Sequence, residues 1–336
     1  MRILLTGGAG YIGSHAAIAL SMAGHEVIIL DNFSNSRKHV IGQIEAIAKT
    51  IIPCIEGDVR DTLLLVRLLQ NEGVEGVIHF AGLKAVGEST NQPLIYFANN
   101  VAGTISLLEA MSLVNIKKLV FSSSATVYGI PKYLPIDENH SVGSTNPYGR
   151  SKLYVEGILE DMAFSDKDWR IACLRYFNPV GAHESGLIGE DSGAIPNNLM
   201  PFISQVATGK LPCLKIYGGD YLTPDGTGVR DYIHVMDLAE AHLSALNFLD
   251  KFVGLTKINI GTGRGFSVLE LIRVFERMTG RRVPLEIISR RHGDVAACYA
   301  SIEKAKYDLG WTASRNIEEM CISALNWELN KSEANK

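Results

Sequence analysis

The feature that most constrains this chain is a strand that runs directly into a glycine-rich turn and then a helix. Arg2-Ile3-Leu4-Leu5-Thr6 is followed by Gly7-Gly8-Ala9-Gly10-Tyr11-Ile12-Gly13, which can be read as Gly8-x-Gly10-x-x-Gly13 or as Gly7-x-x-Gly10-x-x-Gly13. In both readings glycine permits the tight turn, lets backbone approach a pyrophosphate and lets the helix pack on the strand. The helix N-terminus supplies free N–H donors at its positive dipole end. The same alternation continues downstream. Runs at 26–30, 51–56, 76–80, 118–122 and 170–175 read as further buried strands, and 11–23, 61–71, 93–115 and 147–166 as helices. Asn146 as N-cap and Pro147 at the first helical position open the last of these. Strands alternating with helices predict an α/β fold with a Rossmann-like, doubly wound parallel sheet.

Past residue 175 the character changes to Gly- and Pro-containing loops at 178–196 and 217–230, with helices at 197–208, 235–249, 267–279 and 317–330. We expect a nucleotide-binding domain over 1–176 and a smaller mixed α/β substrate domain from 177–230 and 263–336, with 231–262 returning to the first domain. A length of 336 residues accommodates both. Lys plus Arg is 32 against 36 Asp plus Glu, a net charge of −4, so no broad cationic surface offers itself to nucleic acid or an anionic membrane. Five scattered cysteines, with no Cys-x-x-Cys and no His pair at ligand spacing, fit reduced thiols in the cytoplasm and no metal site. Residues 3–25 carry no formal charge, yet Thr6, five glycines, Ser14 and His15 break the apolar run, so neither a signal peptide nor a membrane span is expected.

Glycine trios occur by chance, so context matters. Asp31 closes the second strand, 18 positions past Gly13, where a dinucleotide fold places an acidic acceptor for the adenosine ribose hydroxyls. A carboxylate there repels a 2′-phosphate and favours NAD over NADP. No Gly-Lys-Ser/Thr follows the turn, which argues against a Walker A triphosphatase.

Tyr148 and Lys152 are spaced i, i+4 near the start of a predicted helix, on one face. A phenol of pKa about 10 is a poor base at neutral pH, but a neighbouring ammonium and a nicotinium cation favour the phenolate and are expected to pull it toward about 7. Val120-Phe121-Ser122-Ser123-Ser124 ends a strand at the edge where an open parallel sheet binds ligands, so Ser124 can bridge a substrate hydroxyl and Tyr148. Tyr-x-x-x-Lys alone is more often an exposed helical face. Behind a dinucleotide turn, and in order with the serine, it reads as a site. His79 and His234 sit among apolar residues and read as core histidines rather than ligands.

On these motifs the chain resembles the extended short-chain dehydrogenases/reductases, and within them the UDP-glucose 4-epimerase family. The resemblance runs through 5–15, 29–32, IHFAGLKAVGES at 78–89, FSSSATVYG at 121–129, 147–152, RYFNPVGA at 175–182, IPNNLMP at 195–201 and DGTGVRDYIHVMDL at 225–238. It implies Ser124, Tyr148 and Lys152 as the catalytic trio and a tightly held NAD. The implied cofactor contacts are Gly7, Gly10, Tyr11, Ile12 and Gly13 on the turn, then Asp31, Asn32, Asn35 and Ser36 around the adenosine. Asp58 and Val59 at the adenine, then Phe80, Ala81, Gly82, Lys84, Asn99 and Tyr176, complete that set. The implied UDP-hexose contacts are Asn178, Asn198, Leu199, Tyr217, Arg230, Arg291 and Asp294, the two arginines suiting a pyrophosphate. The implied reaction is redox-neutral: Tyr148 takes the sugar 4-hydroxyl proton as the C4 hydride passes to NAD, and the 4-keto ring swings about its pyrophosphate linkage and receives the hydride on its other face. Related helices pair across a twofold as a four-helix bundle, so a homodimer is expected through 93–115 and 147–166.

Where some bacterial members carry Tyr, this chain has Cys298, after Gly293-Asp294-Val295-Ala296-Ala297. A thiol in place of a phenol opens space beside the sugar C2 position, so UDP-GlcNAc and UDP-GalNAc are expected as further substrates unless Tyr299 fills the gap. The rivals are a UDP-glucuronate 4-epimerase, a nucleotide-sugar 4,6-dehydratase and a non-catalytic NAD-binding scaffold. The dehydratase needs an Asp-Glu pair after the serine strand, and here Ala125-Thr126 stands there. A scaffold typically loses the Tyr or Lys, and both are present.

Overall fold

A computed structural model of the protein describes residues 1–191, 196, 198–291 and 293–334, the last three by backbone alone. Of the segment 195–201, positions 195 and 197 therefore lie outside the described residues. In chain order the first half comprises β1 (Arg2–Thr6), α1 (Tyr11–Met22), β2 (Glu26–Asp31), α2 (His39–Ala48), β3 (Cys54–Glu56), α3 (Thr62–Asn71), β4 (Gly76–His79), α4 (Val86–Asn91), α5 (Pro93–Tyr96), a π-helical turn (Phe97–Ala102), α6 (Gly103–Leu113), β5 (Lys118–Ser124), α7 (Pro147–Ser165) and β6 (Arg170–Tyr176). The second half comprises β7 (Asn178–Val180), α8 (Leu199–Ala207), β8 (Leu214–Tyr217), β9 (Val229–His234), α9 (Val235–Phe248), β10 (Gly254–Ile260), β11 (Gly265–Ser267), α10 (Val268–Thr279), β12 (Leu285–Ile288), β13 (Ala297–Cys298), α11 (Glu303–Leu309) and α12 (Ile317–Ala334).

Seven strands form one parallel sheet in the order β10-β6-β5-β4-β1-β2-β3, a Rossmann-like doubly wound arrangement. Its strands are apolar on both faces, as a sheet covered by helices on both sides requires. Ile3, Leu4 and Leu5 are fully buried, one apolar cluster packing α1 and α9 on one face and another packing α3, α6 and α7 on the other. The chain runs outward from β1 through β2 to β3 and then crosses back to β4 on the other side of β1, so the crevice outside the carboxyl ends of β1 and β4 is the topological switch point.

Local chemistry fixes the helix that faces that crevice. Asn146 Oδ1 accepts from Gly149 N at 2.9 Å and Pro147 supplies its fixed φ, so α7 starts one residue before Tyr148. The expected single helix over 93–115 is divided into α5, the π turn and α6, and α4 precedes it. After β6 the chain builds a smaller unit: β7 and β13 pair β9 in parallel and β11 pairs it antiparallel, while β8 and β12 form a separate parallel pair. Gly254–Ile260 pairs with β6 in the large sheet and α9 packs on α1, whereas Val229–His234 stays in the smaller one. The capping box of Ser267 and Glu270 starts α10, and Gly280 in the left-handed region ends it.

Candidate active site

The glycine turn is a cradle. Gly7 has φ +70°, and a Cβ on it would stand 2.6 Å from Ala81 N; one on Gly13 would stand 2.5 Å from Gly7 O. Phe80 N and Ala81 N both donate to Thr6 O at 2.9 Å, which ties the 80–84 loop to the end of β1. Gly10 is the N-cap of α1 and brings no side chain, so the first-turn N–H groups of Tyr11, Ile12 and Gly13 face the crevice without a capping partner. Beside them Asp31 accepts from Ala9 N at 3.0 Å through Oδ2, and from Phe33 N and Ser36 Oγ at 2.9 Å through Oδ1. A carboxylate has about four acceptor sites, so one remains for a sugar hydroxyl. An uncapped helix N-terminus, a floor that admits no Cβ and a carboxylate with spare capacity suit a dinucleotide.

Around this turn, Asn32 Nδ2 donates to Asp58 Oδ2 at 3.3 Å, and hydrogen bonding to the Arg60 guanidinium holds the Asp58 carboxyl down at about 2. Asn35 is exposed, while Val59 is buried against α6 at Gly103. Phe80 stacks tilted on His242 at 4.8 Å, and the Tyr176 hydroxyl meets His242 Nε2 at 2.5 Å. Asn99 lies in the π turn, a distortion frequent at functional sites.

At the carboxyl edge of β5, Ser124 pairs in register with Tyr176. Lys152 is 4% exposed, its Nζ donates to Ser122 O at 2.7 Å, and it would lie 3.6 Å from a Cβ on Gly82. Burial lowers its ammonium from 10.5 to about 8, with Glu156 one turn further along α7 acting against that fall. The Tyr148 phenol departs from expectation. In the chain by itself burial raises it, and the influence that lowers it is the hydroxyl of Ser124, not the lysine. The cationic half of the expected pull therefore has to come from a bound group.

The residues expected at a UDP-hexose fall in three places. Asn178 opens β7 beside Tyr232, and Arg230 and Cys298 are register partners on β9 and β13. Cys298 packs against the buried cluster of Val127, Tyr128, Ile136, Phe177 and Ala300, and burial pushes its thiol up to about 11. Tyr299 projects elsewhere, its ring 3.1 Å from a Cβ built on Gly265. Asn198 and Leu199 start α8, next to the dinucleotide turn. The Arg291 guanidinium stacks 4.2 Å from the centre of the Tyr217 ring on the small parallel sheet, with Asp294 N donating to Arg291 O.

Four residues were missed. Asn100 holds the 80–84 loop to α7: Oδ1 accepts from Leu83 N at 2.8 Å, and Nδ2 donates to Leu83 O at 3.0 Å and to Ser151 Oγ at 2.9 Å. Glu190 Oε1 accepts from Lys84 Nζ at 2.7 Å and Asn198 Nδ2 at 2.6 Å, bridging residues from the two expected ligand sets. The fully buried Arg175–Glu156 pair, at 2.6 Å, joins β6 to α7 beneath the site and takes a hydrogen bond from Ser123. A polar residue inside an apolar pattern was the only signal for any of them. His79, bonded to Thr6 and Thr104, and His234, bonded to Ser323, are core histidines.

A seven-stranded parallel sheet, a glycine cradle at its switch point and a Ser, Tyr, Lys constellation along its edge define an extended short-chain dehydrogenase/reductase. A family profile described as GDP-mannose 4,6 dehydratase matches residues 4–323. The UDP-glucose 4-epimerase of Bacillus subtilis (strain 168) is 51% identical over 328 residues, 98% of this chain and 97% of its own. The crystal structure of the UDP-glucose 4-epimerase from Stenotrophomonas maltophila, with bound NAD and formylated UDP-arabinopyranose, superposes with a TM-score of 0.98 at 49% identity, covering 99% of each chain. That of the Bifidobacterium longum enzyme, with NAD+ and UDP, gives 0.96 at 50% identity and the same coverage. The chain belongs to the UDP-glucose 4-epimerase family.

Proposed function

We propose that the protein is an NAD-dependent isomerase that interconverts UDP-glucose and UDP-galactose. The observation that carries this reading is the meeting of Tyr148, Lys152 and Ser124 at the edge of β5, with Lys152 beside the 80–84 loop that packs on the glycine cradle. When bound, NAD supplies a reversible acceptor for one hydride. The chain's own residues do the rest. Tyr148 takes the proton from the sugar 4-hydroxyl and later returns it. Ser124 directs its one proton to the phenol oxygen, and Lys152, fixed by Ser122 O, completes the trio. Arg230 and Arg291 hold the pyrophosphate of the nucleotide, Tyr217 and Arg291 brace each other, and Asn178, Asn198, Leu199 and Asp294 complete the grip. The sugar itself is held loosely, because the ring has to present both faces, so nucleotide binding energy does the positioning.

Cys298 extends the substrate range to UDP-GlcNAc and UDP-GalNAc. What supports this is that the small Cys298 side chain packs against the cluster of Val127, Tyr128 and Phe177 while the Tyr299 ring lies against Gly265. A 4,6-dehydratase is disfavoured because Ala125 and Thr126 offer no carboxylate to the elimination.

A homodimer is supported by exposed apolar side chains on the helices expected to form a bundle: Leu94, Ile95, Leu113, Tyr154 and Phe164 are each more than half exposed. Light scattering that finds only monomer rejects this. The five cysteines are free, which suits the cytoplasm, and among the described residues no helix is long and apolar enough to cross a membrane. Incubating the purified protein with each of four UDP-hexoses and identifying the products tests the function directly. Absence of product with cofactor present would leave the scaffold reading.

A further inference from the structure

A serine hydroxyl has one proton and two lone pairs, and its neighbours decide which way the proton points. At Ser124 both lone pairs are addressed by one residue. Thr126 Oγ1 donates to Ser124 Oγ at 2.9 Å, and Thr126 N donates to the same oxygen at 3.3 Å, because Ser124 is the N-cap of the 3₁₀ turn Ala125–Tyr128. Thr126 is also wedged against the start of α7: a Cβ on Gly149 would stand 2.9 Å from Thr126 O, so α7 carries glycine beside Tyr148 and closes on this segment. The threonine thus sits between the strand end that holds the serine and the helix that holds the tyrosine.

We propose that Thr126 is a positioning residue that fixes the hydrogen-bond polarity of the site, filling both lone pairs of Ser124 Oγ so that the serine serves only as a donor and its one proton is directed to the Tyr148 phenol oxygen. The inference rests on Tyr148 being the base of the proposed epimerisation. With the threonine hydroxyl absent, one lone pair of Ser124 opens. The serine can then accept from the phenol, which holds the phenol proton in place and weakens the base. That Ser124 is the neighbour lowering the phenol is consistent with a donor role.

The test compares Thr126→Val, which keeps the backbone N–H and the side-chain shape, with Thr126→Ser, which restores the hydroxyl. For Thr126→Val, kcat should fall about 10-fold with KM for the UDP-sugar within about twofold. The acid limb of the kcat profile should move up by about one pH unit, as loss of one hydrogen bond to a charged oxygen implies. Ultraviolet difference titration against Tyr148→Phe, which reads the phenol without turnover, should show the same displacement. Thr126→Ser should regain most of the rate and the original limb. A valine variant with unaltered kcat and limb overturns the proposal, as does a serine variant that lowers kcat equally without moving the limb, since both then lose only packing. Should Thr126→Val not fold, Thr126→Ala carries the same comparison. If the unsubstituted protein shows no epimerisation, the proposed function fails; if it turns over and the valine variant matches it, only the role of Thr126 fails.

Discussion

Replacing Lys152 by Met should stabilise the protein at neutral pH while abolishing turnover, and the size of the effect follows from the burial of this side chain. The ammonium is 4% exposed and falls from 10.5 to about 8 on folding. At about 1.4 kcal/mol per pH unit, keeping that charge inside costs about 3 kcal/mol at pH 7. Methionine matches the stem and removes the charge, but it leaves Ser122 O without the donor now 2.7 Å away, a loss of about 1 to 3 kcal/mol. The net at pH 7 is a gain of about 0 to 2 kcal/mol. The sign of the pH dependence is fixed. Between about pH 8 and 10.5 the unfolded chain binds the proton and the folded chain does not, so wild-type stability rises with pH across that window and the advantage of Met shrinks. Urea unfolding of the nucleotide-free proteins should show the Met-minus-wild-type difference falling by about 2 to 3 kcal/mol between pH 7 and pH 10. A difference that does not change with pH refutes a buried, destabilised ammonium. In the same variant kcat should drop by at least about 100-fold, because the site loses the buried ammonium anchored on Ser122 O.

Gly7→Ala would place a Cβ against Ala81 backbone at a φ of +70°, so it should destabilise by about 2 to 5 kcal/mol and release the cofactor; a thermal melt and the nucleotide content of the purified protein check both. Burial lowers the imidazoles of His15 and His79 to about 3 and those of His234 and His242 to about 4. The unfolded chain therefore binds more protons than the folded one from about pH 4 up to 6.5, and stability should fall on acidification by about 2 kcal/mol per histidine between pH 7 and pH 5; flat denaturation midpoints over that range contradict it. Cys298→Tyr should lower turnover of N-acetylated UDP-hexoses relative to the plain ones by about 10-fold or more, since a ring then fills the space beside C2. An unchanged ratio removes Cys298 from substrate choice.

The sheet was legible because its strands are long enough for continuous apolar runs and its crossovers carry helical periodicity. The smaller unit was not. Asn178–Val180, Gly265–Ser267 and Ala297–Cys298 are two or three residues long, too short for any period to register, and their pairing with Val229–His234 is a property of distant segments. Three helices were also overlooked. Lys38 before His39–Ala48, Ala85 before Val86–Asn91 and Ile302 before Glu303–Leu309 give no side-chain cap, so no start signal marks them. The π turn was invisible because its residues keep a helical pattern.

At the site, the spacing of 148 and 152 already put both side chains on one side of a helix, whereas the direction of the phenol shift did not follow from spacing. It depends on the burial of the phenol and on the Ser124 hydroxyl beside it. Asn100 and Glu190 act through contacts 17 and more than 100 positions away in sequence, which no local motif encodes.

The most direct test of a tyrosine base set beside a retained dinucleotide is conversion of UDP-galactose by the purified protein without added NAD, alongside Tyr148→Phe. We expect a mixture of UDP-galactose and UDP-glucose from the first and turnover lowered by at least about 100-fold in the second. Full turnover by the phenylalanine variant would contradict the account.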